Sequence, residues 1–113
     1  MNKTSRIKLN RDFRRLYRVG KTVAGGYVVV YRTANRRGEN RVGFAVGKKL
    51  GNAVTRNRVK RLMRESYRLI ENRLTGTSDM VIVARNRAAG RTYAEISKDL
   101  EFALRSHGIL DGE

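Results

Sequence analysis

Apolar residues recur at Val59, Leu62, Met63, Tyr67 and Ile70, with polar residues filling the positions between them. Steps of three and four predict a helix with one buried stripe. The helix enters from Gly51-Asn52 and runs to about Arg73. Asn52 and Thr55 are both candidate caps, and Val54, a poor fit to the stripe, favours the later start. Residues 9–19 predict a shorter helix, with Asn10 able to cap it, Phe13, Leu16 and Tyr17 on one face, and Gly20 to end it. Residues 27–33 are β-branched and aromatic and read as a strand. Tyr27, Val29 and Tyr31 fall on one face, and Val28, Val30 and Arg32 on the other. Residues 34–40 read as a loop. Residues 41–48 alternate again, with Val42, Phe44 and Val46 opposite Gly43, Ala45 and Gly47. Small residues on one face let a helix or ligand approach the sheet closely. Residues 79–85 form an apolar run of strand length, expected at the centre of the sheet. Thr92 and Glu95 predict a capping box for a last helix that buries Tyr93, Ile96, Leu100, Ala103 and Leu104. Phe102 falls off that stripe, at an edge or interface, and Gly108 closes the helix.

The predicted order is helix, strand, strand, helix, strand, helix. That is an α/β (α+β) two-layer sandwich, a small mixed sheet packed with helices. The 113 residues fit a single domain, with residues of about 6–108 as its ordered core and short flexible termini.

Charge changes the picture most. Lys and Arg outnumber Asp and Glu by 26 to 10, a net charge of +16. A surface this small cannot disperse that charge, so an anionic partner is expected. No apolar run approaches the roughly 20 residues of a membrane span. The start of the chain lacks the apolar core of a signal peptide, and cysteine is absent. A cytoplasmic protein without disulfides or thiolate metal sites is expected.

The charge is concentrated. Between Asn52 and Arg68, Arg56, Arg58, Lys60, Arg61, Arg64 and Arg68 face one carboxylate, Glu65. At about 100° per residue, Asn57, Lys60, Arg61, Arg64 and Arg68 gather opposite the buried stripe. Such a face suits a polyanion, because each phosphate contact releases a condensed counterion. Basic helical runs are often only solvated faces; the density of arginine and the scarcity of acids argue against that here. Phe13 and Tyr17 lie one turn apart among Arg11, Arg14, Arg15 and Arg18, a setting for stacking single-stranded nucleotides. A plain core role competes with this for Phe13, Tyr17 and Tyr31, and is favoured for Phe44.

Catalytic residues are scarce. His107 is the only histidine, and its place near the end of the chain beside a glycine predicts a surface residue. No Ser is paired with a base, and Asp99 and Glu101 point to different faces of one helix. Gly43, Gly47 and Gly51 match neither a Walker A loop nor a dinucleotide fingerprint. Residue by residue, this is a binding protein. A helix-turn-helix DNA reader would need a second helix just before the basic one, and a glycine-punctuated strand precedes it instead.

Residues 41–65 read Arg-Val-Gly-Phe-Ala-Val-Gly-Lys-Lys-Leu-Gly-Asn-Ala-Val-Thr-Arg-Asn-Arg-Val-Lys-Arg-Leu-Met-Arg-Glu. With Asp12-Phe-Arg-Arg and Gly20 before it and Asp79-Met-Val-Ile-Val-Ala-Arg after it, this resembles the bacterial ribonuclease P protein family over roughly residues 6–105. The resemblance implies a subunit that binds a catalytic RNA and the 5′ leader of precursor transfer RNA, promoting endonucleolytic removal of the leader. It implies that the RNA is the catalyst and uses Mg2+, with no cofactor held tightly by the protein. It also implies a ribosomal-protein-like fold with a left-handed βαβ crossover, where most such crossovers are right-handed. Carried onto this chain, Lys48, Lys49, Asn52, Arg56, Asn57, Arg58, Lys60, Arg61, Arg64 and Arg68 would bind the RNA subunit. Phe13, Arg14, Tyr17, Tyr31 and Phe44 would bind the leader. Arg85-Asn-Arg lacks the proline the family often has after this strand. The implied partners are RNAs, with no DNA or membrane. The alternatives are a ribosomal or other structural RNA-binding protein, a protein that cleaves RNA through His107, and a DNA-binding regulator.

Overall fold

A computed structural model describes residues 4–111; the expected flexible termini lie in part outside the described residues. Five strands, β1 (Thr4–Arg6), β2 (Lys21–Ala24), β3 (Val28–Ala34), β4 (Asn40–Val46) and β5 (Ser78–Ala84), form one mixed sheet in the order β1-β4-β5-β3-β2. Three helices, α1 (Asn10–Val19), α2 (Ala53–Ile70) and α3 (Tyr93–Ser106), complete the fold. β4 runs parallel to β1 and β5, while β3 is antiparallel to β5 and β2. The parallel neighbours β4 and β5 are joined through α2.

β5 is the central strand, and Met80, Val81 and Ile82 are fully buried. A strand covered on both faces reads as a continuous apolar run, as this one does. Val28, Val30, Val42, Phe44, Met80 and Ile82 meet the stripes of α2 and α3 in the larger core. On the other face Ile7, Leu16 and Val81 form a smaller core beneath α1. The sandwich thus carries its shortest helix alone on the second face.

β1 and β2 are absent from the order read from the sequence. Each is a polar segment of three or four residues at a sheet edge, held by its neighbour's backbone rather than by its own apolar pattern. Gly25 and Gly26 make the β2–β3 turn, where Asp99 of α3 accepts backbone hydrogen bonds from Gly26, Tyr27 and Val28 at 2.8–2.9 Å. Asn52 caps α2, its Oδ1 accepting from the Thr55 N–H at 2.9 Å. The helix therefore starts before Thr55, and Val54 stands in its first turn, 77% exposed. Asn10 is the first residue of α1 rather than its cap, and no side chain caps that helix. The capping box of α3 is formed: Thr92 Oγ1 accepts from the Glu95 N–H at 3.1 Å, and Glu95 Oε1 accepts from the Thr92 N–H at 3.0 Å. Gly108, at φ 78°, follows the helix in a conformation that favours glycine. Phe102 is exposed, as its place off the stripe requires.

Arg41 and Asp79 fasten one end of the sheet. Arg41 Nε and Nη2 donate to the two Asp79 oxygens at 3.0 and 2.8 Å, and Asn35 Nδ2 donates to Asp79 at 2.8 Å. Arg41 also reaches Asp12 of α1 at 3.5 Å. Burial raises the Asp79 pKa, but the Arg41 and Asn35 hydrogen bonds and the charges of Arg41 and Arg37 outweigh it, leaving it below the ordinary value.

His107 is buried, not on the surface as its position in the chain suggests. The chain end folds back under the sheet, where Leu110 bridges Leu74. His107 Nε2 donates to the Val30 carbonyl at 2.9 Å. Burial holds its pKa below 6.5; the Val30 bond pulls it up, and the charges of Arg32 and Lys21 push it down. In a window below 6.5 the unfolded chain therefore binds more protons than the folded one. The stabilising contribution is complete above 6.5 and is lost as pH falls through the lowered folded value. The urea midpoint should decline between pH 7 and pH 5. His107→Gln, which keeps a donor for Val30, should make that decline shallower; an identical decline would show that His107 does not titrate with folding.

Candidate nucleic-acid interface

The alternation of β4 sorts two surfaces. Gly43 and Ala45 face α1, whereas Phe44 faces α2. The Phe13 ring lies so close to Gly43 that a Cβ there would stand 2.6 Å from it. Leu16 anchors α1 in the small core. One turn beyond Phe13, Tyr17 meets Tyr31 of β3 edge to face, with ring centroids 5.0 Å apart. α1 is too short to cover the sheet, so Val29, Ala45 and Val83 remain half-buried beside these rings. The result is a half-open cleft with an apolar floor and an aromatic wall. Arg14 lies exposed on the same helix. Burial, then the nearby Tyr31, raises the Tyr17 pKa, so the phenol stays neutral at physiological pH.

Phe13, Arg14, Tyr17 and Tyr31 thus come together. Phe44 does not: it is 7% exposed on the opposite face, edge to face with Tyr67. Its place in the leader-binding set is corrected, because strand residues 43 and 44 must point to opposite sides. The floor residues Val29, Ala45 and Val83 are additions. Their signals in the sequence were the mixed face of residues 27–33, which includes Val29 and was a candidate floor, and the small side chains on that face of β4.

The second surface is α2 with the turn before it. Lys48 and Lys49 are exposed in a 3-10 turn, Lys48–Leu50, beyond the end of β4. Asn57, Arg61 and Arg68 are exposed and Arg56, Lys60 and Arg64 half-buried. Asn52 contributes its side chain to the helix cap. Arg58 lies on the other flank, about 20° from Glu65 by helical spacing. Among the described residues, none of these Lys and Arg side chains forms an ion pair. Their charge is therefore available to a partner.

Fold and surfaces define a small basic α/β protein with a cationic helix behind its sheet and an aromatic cleft in front. The ribonuclease P family model matches residues 1–108. A ribonuclease P protein component of Alkaliphilus metalliredigens is 42% identical over 110 residues, covering 97% of this chain and 99% of that one. That of Clostridioides difficile is 41% identical, covering 96% of each. The ribonuclease P protein structure from Staphylococcus aureus matches at TM-score 0.86 and 37% identity, over 96% of this chain and all of that one. The Thermotoga maritima protein matches at 0.82 and 27% identity, over 96% and 99%. The chain belongs to the ribonuclease P protein family, and its role is that of a protein component of this endoribonuclease in transfer RNA processing. Among the described residues, no helix is long and apolar enough to cross a membrane.

Gly43→Ala tests how the cleft is held. The added methyl has no room unless Phe13 moves. The substitution should destabilise the fold by about 1–3 kcal/mol, read from the urea midpoint. Unchanged stability would mean that α1 is not fixed by this contact.

Proposed function

We propose that α2 and the Lys48–Leu50 turn dock on the ribonuclease P RNA while the cleft holds the single-stranded 5′ leader of precursor transfer RNA. The observation that carries this is the placement of two chemically different surfaces on opposite faces of one sheet. Unpaired cations on α2 suit a folded RNA backbone. Phe13, Tyr17 and Tyr31 over an apolar floor suit stacked bases of a flexible strand. Lys48, Lys49, Asn52, Arg56, Asn57, Arg58, Lys60, Arg61, Arg64 and Arg68 serve the first role, with Arg58 at its margin. Phe13, Arg14, Tyr17 and Tyr31 serve the second. Cleavage is assigned to the RNA subunit and its Mg2+ ions. This reading is supported by His107, whose Nε2 is bound to a backbone carbonyl inside the fold. The setting is cytoplasmic, with RNA rather than DNA or membrane as partner.

The test combines the purified protein with a bacterial ribonuclease P RNA at low Mg2+. Cleavage of precursor transfer RNA should increase, and no gain in cleavage or substrate affinity would sink the reading. Phe13→Ala should weaken leader-bearing substrate by roughly tenfold, the value of about one stacked base, and spare mature transfer RNA. Equal losses would remove the cleft from leader binding.

Arg61 and Arg64 address the other surface. Changing both to Ala should weaken binding of the ribonuclease P RNA and lower the steepness of its salt dependence by about two, one per phosphate contact. An unchanged slope would place the phosphate contacts elsewhere.

A further inference from the structure

Phe44, excluded from the cleft, lines a second concavity. Where β1 pairs with the edge of β4, a cavity of about 200 Å³ opens between the strands and α2. Arg6, Phe44, Arg64, Tyr67 and Arg68 are among its lining residues, and the Glu71 carboxylate stands there with them, so three arginines face one acid. The Phe44 and Tyr67 rings meet edge to face, 6.1 Å between centroids. The Arg6 guanidinium carbon lies 5.7 Å from the Phe44 ring centre. Thr4 Oγ1 and the Tyr67 hydroxyl are 3.0 Å apart. Burial, opposed by the Thr4 hydrogen bond and assisted by the Glu71 charge, pushes the Tyr67 pKa up to about 12, so the ring remains a neutral phenol.

This composition differs from that of the exposed cationic face. A surface that only contacts phosphates needs cations reaching into solvent. Here two aromatic rings stand at the base of the site and a planar cation lies over one of them. Two further arginines stand at its mouth, on the side of α2 that carries Lys60 and Arg61. The volume is below that of a drug-sized site and has room for one flat ring system. Paired bases are stacked inside a helix and cannot enter; an unpaired base can, and RNA-binding proteins hold such bases on aromatic or guanidinium planes.

We propose that this pocket takes one unpaired nucleotide of the RNA that docks on α2. Its base rests against the Arg6 guanidinium, and its phosphate lies at Arg64 and Arg68. The assignment rests on the docking reading of α2 and adds to it a contact that selects an unstacked base. Along one helix, the cationic face would then provide backbone affinity and the pocket would set the register of the RNA.

Two measurements on the full-length protein test it. In the first, ring signals of Phe44 and Tyr67 are followed by NMR while nucleoside 5′-monophosphates, and separately inorganic phosphate, are added. The nucleotides should shift both rings and phosphate should not. Equal shifts from phosphate, or none from nucleotides, would overturn the proposal. In the second, affinity for the ribonuclease P RNA is compared among Arg6→Ala, Arg6→Lys and the Arg61→Ala/Arg64→Ala protein. Arg6 is exposed, so its replacement should leave the fold intact, which the urea midpoint checks. Arg6→Ala should bind about tenfold more weakly. Arg6→Lys, which keeps the charge but not the plane, should recover only part of that loss. Full recovery with Lys would reduce the site to a phosphate contact and overturn the pocket. If Arg6→Ala binds normally while the Arg61/Arg64 variant does not, the pocket is overturned and the docking face stands. If neither loses affinity, both fall.

Discussion

Phe13 lies against a glycine, and the front of the molecule depends on that contact. A helix crossing a sheet is normally kept away by the side chains beneath it. At Gly43 there is none, and the Phe13 ring occupies the space that a Cβ would fill. α1 can therefore sit low enough for Leu16 to reach Val81 in the small core. Tyr17 then meets Tyr31 at a fixed angle. Because the strand alternates, the same close approach leaves Val42, Phe44 and Val46 for the opposite face, where larger side chains meet α2. One strand with small residues on one side and large ones on the other thus makes a shallow cleft in front and a deep core behind.

The distribution of acids explains how a chain of net charge +16 keeps its charge available. Asp12 and Asp79 are committed to Arg41. Asp99 is committed to the backbone of the β2–β3 turn. Glu95 closes the capping box, and Glu101 holds Arg73 and Arg105. These acids stabilise local geometry, and none of them stands on α2. Glu65 is the one carboxylate in that helix; it lies beside Arg68 at the edge of the cationic face, and among the described residues it pairs with none of the helix's cations. Isolated surface ion pairs would add little to stability, but along α2 they would weaken the field that draws a polyanion. The scarcity of acids in α2 is thus a condition of the RNA docking proposed for it.

The sequence carried the elements whose signals are periodic. The stripe of α2, the Thr92/Glu95 box and the two-faced pattern of β4 all rest on local spacing, and each appears as expected. What it did not carry depends on contacts distant in the chain. β1 and β2 are polar and short, and exist because β4 and β3 offer them backbone partners. Asp99 serves a turn more than 70 residues earlier. His107 is buried because the chain end folds back on β3, so nearness to the terminus misled. For the candidate site, α2 and the Phe13–Tyr17 pair were legible as chemistry on one helix face. The exclusion of Phe44 required only that the strand rule be applied against Gly43. The floor was legible only in part: the mixed face of residues 27–33, with Val29, and the small residues of β4, with Ala45, pointed to it, whereas Val83 had no signal and stays open because α1 stops short.

These surfaces act together only if the sheet between them is stiff. β5 meets that need: it is hydrogen-bonded on both sides and buried on both faces. A relative displacement of α1 and α2 would have to shear packed side chains on one face or the other, and close-packed interiors resist such continuous deformation. The distance between the cleft and the cationic helix is therefore set by the thickness of the sheet and its packed side chains. On the proposed reading, in which cleavage belongs to the RNA, fixed spacing is the contribution the protein makes to the reaction. Holding two RNA segments in one geometry turns an encounter between them into a local event. That contribution needs no proton transfer from the protein, and depends instead on the contacts that keep α1 low, β5 covered and α2 free of acids.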